Sequence, residues 1–133
     1  SLTIYGEGED RASLERLIRS LNMKENIILA GYDSNLNNII HSYDLYIQSS
    51  RWEGLGNGIV EAVYSGLTPV ITEECKGSLD IINLLSKRYI ARSEVNSLAQ
   101  TIYNALRNPM EINELNKSMY KYSTSLSGPR FIQ

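Results

Sequence analysis

Short apolar runs alternate with helix-length amphipathic stretches along this chain, and that order constrains its fold more than any other feature. The apolar runs predict strands at residues 2–5, 27–30, 44–48 and 69–72, with a fifth short strand at 88–91. Apolar residues at helical spacing predict helices at residues 10–21, 35–42, 57–65, 78–85, 97–107 and 110–122. In the first helix, Leu14, Leu17, Ile18 and Leu21 share one face, and in the third Ile59, Ala62 and Val63 do.

Strands and helices in this order imply parallel strands joined by right-handed crossovers. The expected fold class is therefore α/β, a Rossmann-like parallel sheet flanked by helices, in one domain of 133 residues. Ligands of such sheets bind outside the carboxyl ends of the strands. Function is therefore expected in the loops that follow residues 5, 30, 48 and 72.

Composition excludes several classes of function. The apolar runs are only a few residues long, whereas a membrane-spanning helix needs about 20. Net charge is −2 and the 13 lysines and arginines are scattered, so no basic stripe indicates a nucleic-acid partner. One cysteine and one histidine are too few for a zinc site, and Cys75 has no partner for an internal disulfide. This usage favours a reducing, cytoplasmic compartment.

Glycines follow three of the predicted strands, at Gly6 and Gly8, at Gly31, and within residues 54–58. The pair Gly6-x-Gly8 is a weak signal, because the third glycine of a dinucleotide fingerprint is absent and a tight strand-to-helix turn also uses glycine. The third loop is more informative, since a helix begins near Asn57 immediately after it. Unpaired N–H groups at a helix amino terminus can hold a phosphate or a sugar hydroxyl, and glycines there would let the ligand approach.

Two carboxylates flank this third loop. Glu61 lies about one turn into the predicted helix, where its two oxygens can accept hydrogen bonds from two adjacent hydroxyls, as on a ribose. Glu53 begins the loop and can face a second polyol. An alternative for Glu61 is a purely structural role, because a carboxylate in the first turn of a helix stabilises it by about 0.3–1 kcal/mol without any ligand.

The run Glu53-Gly-Leu-Gly-Asn-Gly-Ile-Val-Glu61-Ala, followed by Gly66 and Pro69-Val, resembles the E-x7-E signature of retaining glycosyltransferases with the GT-B fold. The most similar family is glycosyltransferase family 4, the glycosyl transferases group 1. Residues 2–8, 27–31 and 43–50 resemble the flanking pattern of that family in order and spacing, so the resemblance covers roughly residues 2–107.

The resemblance implies a role for each matched residue. Glu61 would bind the nucleotide ribose, and Glu53, the catalytic residue, would approach the donor sugar. The sugar and diphosphate would be lined by Gly54, Leu55, Gly56, Asn57 and Gly58, the base would lie near Gly31, Tyr32 and Asp33, and Gly6 and Gly8 would border the phosphate cleft. The resemblance implies no metal ion and no cofactor besides the donor substrate.

For the whole protein, the resemblance implies transfer of a hexose, with retention, from a nucleoside-diphosphate sugar to a glycan or lipid-linked acceptor. The context would be bacterial cell-surface polysaccharide or glycolipid synthesis, in the cytoplasm or peripherally at the inner face of the membrane. Residues 1–133 would be the C-terminal, nucleotide-sugar-binding half of the GT-B fold, with residues 108–133 as a helical tail. The first strand, its Arg and Lys, and an N-terminal acceptor domain would precede Ser1.

The alternative is a non-catalytic Rossmann-like module for regulation or assembly, against which the intact Glu53, Glu61 and glycines argue. Other polar residues have simpler interpretations. His41 is expected to pack or to face solvent, and Cys75 is expected to be a small thiol rather than a nucleophile, because no histidine is near it in the sequence.

Overall fold

A computed structural model describes residues 1–51, 57–75, 86–111, 113, 114 and 116 of the chain. Glu53, Gly54, Leu55 and Gly56 lie outside these residues, as do the predicted helix 78–85 and most of the predicted helix 110–122. The chain divides into two compact units, Ser1–Asn38 and Ile39–Gln133, which we call unit 1 and unit 2. Each unit has its own parallel strand pairing.

Unit 1 is a strand-helix-strand motif. Strand β1 (Leu2–Tyr5) is followed by helix α1 (Arg11–Ser20) and strand β2 (Ile27–Gly31), and α2 (Leu36–Ile39) crosses the boundary to unit 2. β1 and β2 pair in parallel, as predicted. The register shifts after Ile4, so that Tyr5 lies opposite Gly31 and Ala30 is the extra residue of a bulge. The bulge lies at the carboxyl ends of both strands, where the sequence predicts a ligand.

Unit 2 contains a three-stranded parallel sheet in the order β3-β4-β5. Its elements are β3 (Leu45–Gln48), α3 (Asn57–Tyr64), β4 (Thr68–Thr72), β5 (Ile90–Ala91) and α4 (Val95–Arg107), with 3₁₀ turns at Ile40–Ser42 and Lys87–Tyr89. The central strand β4 is buried along its whole length, as expected for a parallel strand covered on both faces. Its side chains Val70 and Ile71 join Ile59, Val63 and Ala105 in one core cluster.

Two predicted elements adopt a different conformation over part of their length. The helix predicted at 35–42 is a four-residue α-helix that tightens into the 3₁₀ turn Ile40–Ser42. The strand predicted at 88–91 is confined to Ile90–Ala91, because Tyr89 belongs to the preceding 3₁₀ turn. Short segments carry too few residues for periodicity to separate these conformations.

Two long-range hydrogen bonds fasten the chain after α4 to the core of unit 2. The Met110 N–H donates to Thr68 Oγ1 over 2.8 Å at the start of β4. The Tyr89 hydroxyl donates to the Asn108 carbonyl over 3.2 Å. Burial raises the pKa of Tyr89 above its usual value, more than the neighbouring Arg88 lowers it. The neutral phenol is therefore the form that this core favours.

Candidate functional site

Helix α3 presents the most complete part of the predicted site. It begins at Asn57, as the sequence predicts, and buries Ile59, Ala62 and Val63. Glu61 lies on the opposite, exposed face, one turn from the amino terminus. The N–H groups of the first turn have no partner within the helix, so this turn carries a partial positive charge close to an exposed carboxylate. Such an arrangement can bind a group that is anionic at one end and carries hydroxyls at the other.

Gly58 has a reason to be glycine that the sequence did not reveal. A Cβ atom built on it would lie 2.5 Å from the hydroxyl oxygen of Tyr46, a residue of β3. The missing side chain therefore makes room for a packed tyrosine. The sequence interpretation gave these glycines the purpose of admitting a ligand, and at position 58 packing alone requires glycine. Contact of Gly58 with a donor stays a prediction.

Gly6 and Gly8 differ in backbone conformation, although a Cβ on either would meet nothing within 4 Å. Gly6 has φ +113°, a conformation that side-chain-bearing residues rarely adopt, and its N–H donates to the Gly31 carbonyl over 2.8 Å. At Gly8 a Cβ would meet nothing within 4 Å, and its carbonyl accepts from the Arg11 N–H over 3.2 Å at the start of α1. Open space over both glycines leaves room for a ligand, and at Gly6 the turn conformation requires glycine in any case.

A shallow cavity of about 220 Å³ lies over this turn and is lined by Gly6, Gly8, Arg11 and Leu14 among others. The guanidinium of Arg11 is already engaged there. It contacts Glu7 Oε1 at 3.0 Å and Glu15 Oε1 at 3.3 Å, and it donates to the Leu29 carbonyl at 3.1 Å. A phosphate bound at this turn would therefore compete with two carboxylates for the same cation.

The loop after β2 contains the three residues predicted to lie near a base. Gly31 is buried with φ +77°, and a Cβ on it would collide with the Glu7 carboxylate. Asp33 accepts a hydrogen bond from the Asn35 N–H at 2.8 Å, an Asx turn that leads into α2. Tyr32 is 81% exposed, so its ring offers a flat apolar surface. The turn geometry explains Gly31 and Asp33 structurally, and contact of the three residues with a base stays a prediction.

Cys75 links the carboxyl ends of β3 and β4. Its Sγ lies 3.4 Å from Thr72 Oγ1, 3.5 Å from the Gln48 carbonyl oxygen and 3.3 Å from that of Ser50. The side chain is fully buried. His41 is exposed in its 3₁₀ turn, as expected. Neither the role of Cys75 nor that of Tyr46 has a signal in the sequence, because both depend on contacts between separate elements.

The residues that the structure describes contain neither a candidate metal site nor a membrane-spanning helix. In that part of the chain, no three His, Cys, Asp or Glu side chains are grouped so that they could hold a metal ion. Its helices are also either too short or too polar to cross a bilayer.

Comparison with known proteins shows the family. A sequence profile described as "Glycosyl transferases group 1" matches residues 1–125. An uncharacterized glycosyltransferase of Methanocaldococcus jannaschii is 39% identical over 75 residues, which are 56% of this chain and 18% of that protein. The poly(ribitol-phosphate) alpha-N-acetylglucosaminyltransferase of Staphylococcus aureus is 27% identical over 128 residues, which are 91% of this chain and 26% of that protein.

The fold is also that of a solved glycosyltransferase. WaaG, a glycosyltransferase involved in lipopolysaccharide biosynthesis, superposes with a TM-score of 0.74 at 17% identity, over 92% of this chain and 33% of its own. The parallel strands flanked by helices and this superposition confirm the predicted α/β fold class. The chain spans about a fifth to a third of the length of these three proteins. With the profile covering nearly its whole length, the chain belongs to the glycosyl transferases group 1 family.

Proposed function

We propose that this chain is the C-terminal, nucleotide-sugar-binding domain of a longer retaining glycosyltransferase of family 4. The observation that carries the proposal is the amino terminus of α3, which follows a glycine-rich sequence and bears exposed Glu61 one turn in. Membership of the glycosyl transferases group 1 family supports it. The E-x7-E spacing of Glu53 and Glu61 supports the assignment to the retaining class.

The proposed chemistry uses groups that this chain supplies. Transfer of the sugar leaves negative charge on the departing diphosphate, and N–H groups at Asn57 and Gly58 would stabilise that charge where it develops. Glu61 would accept hydrogen bonds from the ribose hydroxyls, and Glu53 would approach the donor sugar. Tyr32 would cover the base. We further propose that no metal ion takes part, so that chelation with EDTA should leave nucleotide affinity unchanged.

The acceptor is proposed from a relative. The Staphylococcus aureus protein is named for transfer to poly(ribitol phosphate), a polymer. We therefore propose that the full-length protein acts on a cell-surface glycan or lipid-linked acceptor, on the cytoplasmic side of the membrane. The acceptor would be held mainly by a further domain. Sugar transfer by the 133-residue chain alone would contradict this division of the active site.

The test compares two substitutions in the full-length protein. Glu61→Gln should weaken both a free nucleoside diphosphate and the complete donor, because both contain ribose. Glu53→Gln should spare the free nucleotide and reduce donor turnover, because only the donor carries the sugar. Calorimetric titration with UDP, GDP and ADP and their glucose conjugates, together with donor-consumption kinetics, separates the two effects.

A matched control comes from the start of α4, which also belongs to unit 2. Glu94 is exposed and immediately precedes α4, so Glu94→Gln removes a carboxylate charge at a helix start outside the proposed site. It should lower stability slightly and leave nucleotide affinity unchanged. If Glu61→Gln behaves like Glu94→Gln, Glu61 only complements the helix dipole and the proposed ribose contact is wrong. A non-catalytic module would show neither donor turnover nor sensitivity to Glu53→Gln.

A further inference from the structure

Tyr46 lies beneath the helix that the proposed function places against the diphosphate. It belongs to β3, where it pairs with Pro69 of β4. Its ring packs against the buried cluster of Ile40, Ala62 and Leu67, and its hydroxyl reaches Gly58 in the first turn of α3. Gly58 and Ala62 are four residues apart, so they share the helix face that rests on this ring. Two small residues let α3 lie close to β3.

The backbone of Gly58 does not itself require glycine. The residue is helical, and its φ lies outside the left-handed region, unlike those of Gly6, Gly31 and Gly66. Alanine would also favour a helix more than glycine does. The contact with Tyr46 is therefore what excludes a larger residue, because real Cβ atoms essentially never approach another atom to 2.5 Å. The tyrosine cannot yield easily, since its ring packs against both core clusters of unit 2.

We infer that Tyr46 is a positioning residue, whose hydroxyl sets the distance of the α3 amino terminus from β3 through its contact with Gly58. The inference deepens the proposed function and rests on it, since the ligand whose binding depends on this distance is the nucleoside diphosphate. Glu61 lies three residues beyond Gly58 in the same helix, so a displacement of the first turn moves the phosphate-binding N–H groups and this carboxylate together. Tyr46 acts without contacting the ligand.

The geometry predicts rescue of one substitution by another. Gly58→Ala forces the first turn of α3 away from Tyr46. Tyr46→Phe removes the hydroxyl, and the nearest remaining atom is then Cζ at 3.4 Å from the Cβ position, an ordinary van der Waals distance. The double variant Tyr46→Phe/Gly58→Ala should therefore regain the helix position that Gly58→Ala loses.

The experiment measures this cycle in the full-length protein with two readouts. UDP, GDP and ADP are titrated calorimetrically, and hydrogen exchange of the α3 amides is followed by mass spectrometry without ligand. We expect Gly58→Ala to weaken the preferred nucleotide at least fivefold and to speed exchange in α3. The double variant should return to within twofold of Tyr46→Phe in both. Tyr64→Phe, which removes the hydroxyl of a 68% exposed tyrosine at the other end of α3, is the control and should rescue nothing.

Each outcome decides a different claim. If Gly58→Ala changes nucleotide affinity and α3 exchange by the same factor whether position 46 is Tyr or Phe, the inference is wrong. If the double variant regains slow exchange in α3 but not nucleotide affinity, Tyr46 shapes the helix without positioning the ligand. The inference is then also wrong. If exchange shows the rescue and the unmodified protein binds no nucleotide, the contact sets the helix position as inferred and the proposed function fails.

Discussion

Units 1 and 2 share the alternation of apolar strands with amphipathic helices, but they differ in how completely their apolar side chains are buried. In unit 2 the core side chains Ile59, Val70 and Ile71 are completely buried. In unit 1, α1 has no buried residue, and both its Leu17 and the adjoining Leu21 are more than half exposed. Apolar periodicity therefore predicted α1 correctly as a helix without predicting how much of its apolar face is covered. Burial depends on which other elements pack against a face, and that is a property of the whole fold.

The largest expected effect comes from core substitutions that compare the two units directly. Ile71→Ala should lower the free energy of unfolding by about 2–5 kcal/mol, because it leaves a cavity in the central strand of unit 2. Leu17→Ala in unit 1 should cost about 0.5 kcal/mol or less, because the side chain is 52% exposed. Urea denaturation followed by circular dichroism measures both. Equal losses would show that Leu17 is covered in solution and would remove the contrast between the units.

A smaller effect distinguishes two glycines within unit 1. Gly6→Ala should destabilise by about 1–2 kcal/mol, because φ +113° is strained for any residue with a Cβ. Gly8→Ala should be neutral or stabilising by up to about 1 kcal/mol, since its Cβ meets open space. Thermal melting of both variants provides the comparison. A loss at position 8 as large as at position 6 would contradict the geometry of this turn.

The smallest expected effect concerns the buried phenol of unit 2. Tyr89→Phe removes the hydrogen bond to Asn108 and should cost about 0.5–1.5 kcal/mol near neutral pH. The folded pKa of Tyr89 is raised, so its protonated form is the one that folding favours. Its contribution is fully present below the unfolded pKa of about 10 and is lost as pH rises toward and through the folded pKa.

The alkaline fall in stability should therefore be steeper in the unmodified chain than in Tyr89→Phe. Tyr103→Phe, at a tyrosine that is 54% exposed, is the control and should keep the steep fall. Denaturation midpoints between pH 8 and pH 11 test this. If the denaturation midpoints of all three proteins fall equally steeply with rising pH, a group other than Tyr89 causes the alkaline loss of stability.

The fold was largely predictable because its signals are local. β1 has the predicted bounds, and β2, β3 and β4 differ from prediction by one residue at one end. The errors fall at Ile40–Ser42 and Lys87–Tyr89, where 3₁₀ turns replace parts of a predicted helix and a predicted strand. Parallel pairing followed from the alternation of strands and helices.

The candidate site was predictable only in outline. The start of α3 and the exposure of Glu61 one turn later follow from helix signals in the sequence. The reason why glycine occupies each of its positions does not follow from the sequence. Gly6 is fixed by its backbone conformation, Gly58 by a tyrosine from another element, and Gly8 by neither. Such distinctions depend on contacts between residues far apart in the chain, which spacing alone does not encode.

The burial of Cys75 has a practical consequence for following motion at this end of unit 2. An alkylating reagent can reach the thiol only when the ends of β3 and β4 separate transiently, because the side chain is fully buried against both. The rate of labelling, relative to that of an unstructured cysteine peptide, therefore measures the fraction of time for which this end is open. The chain contains one cysteine, so the signal arises from a single known position and needs no engineered label.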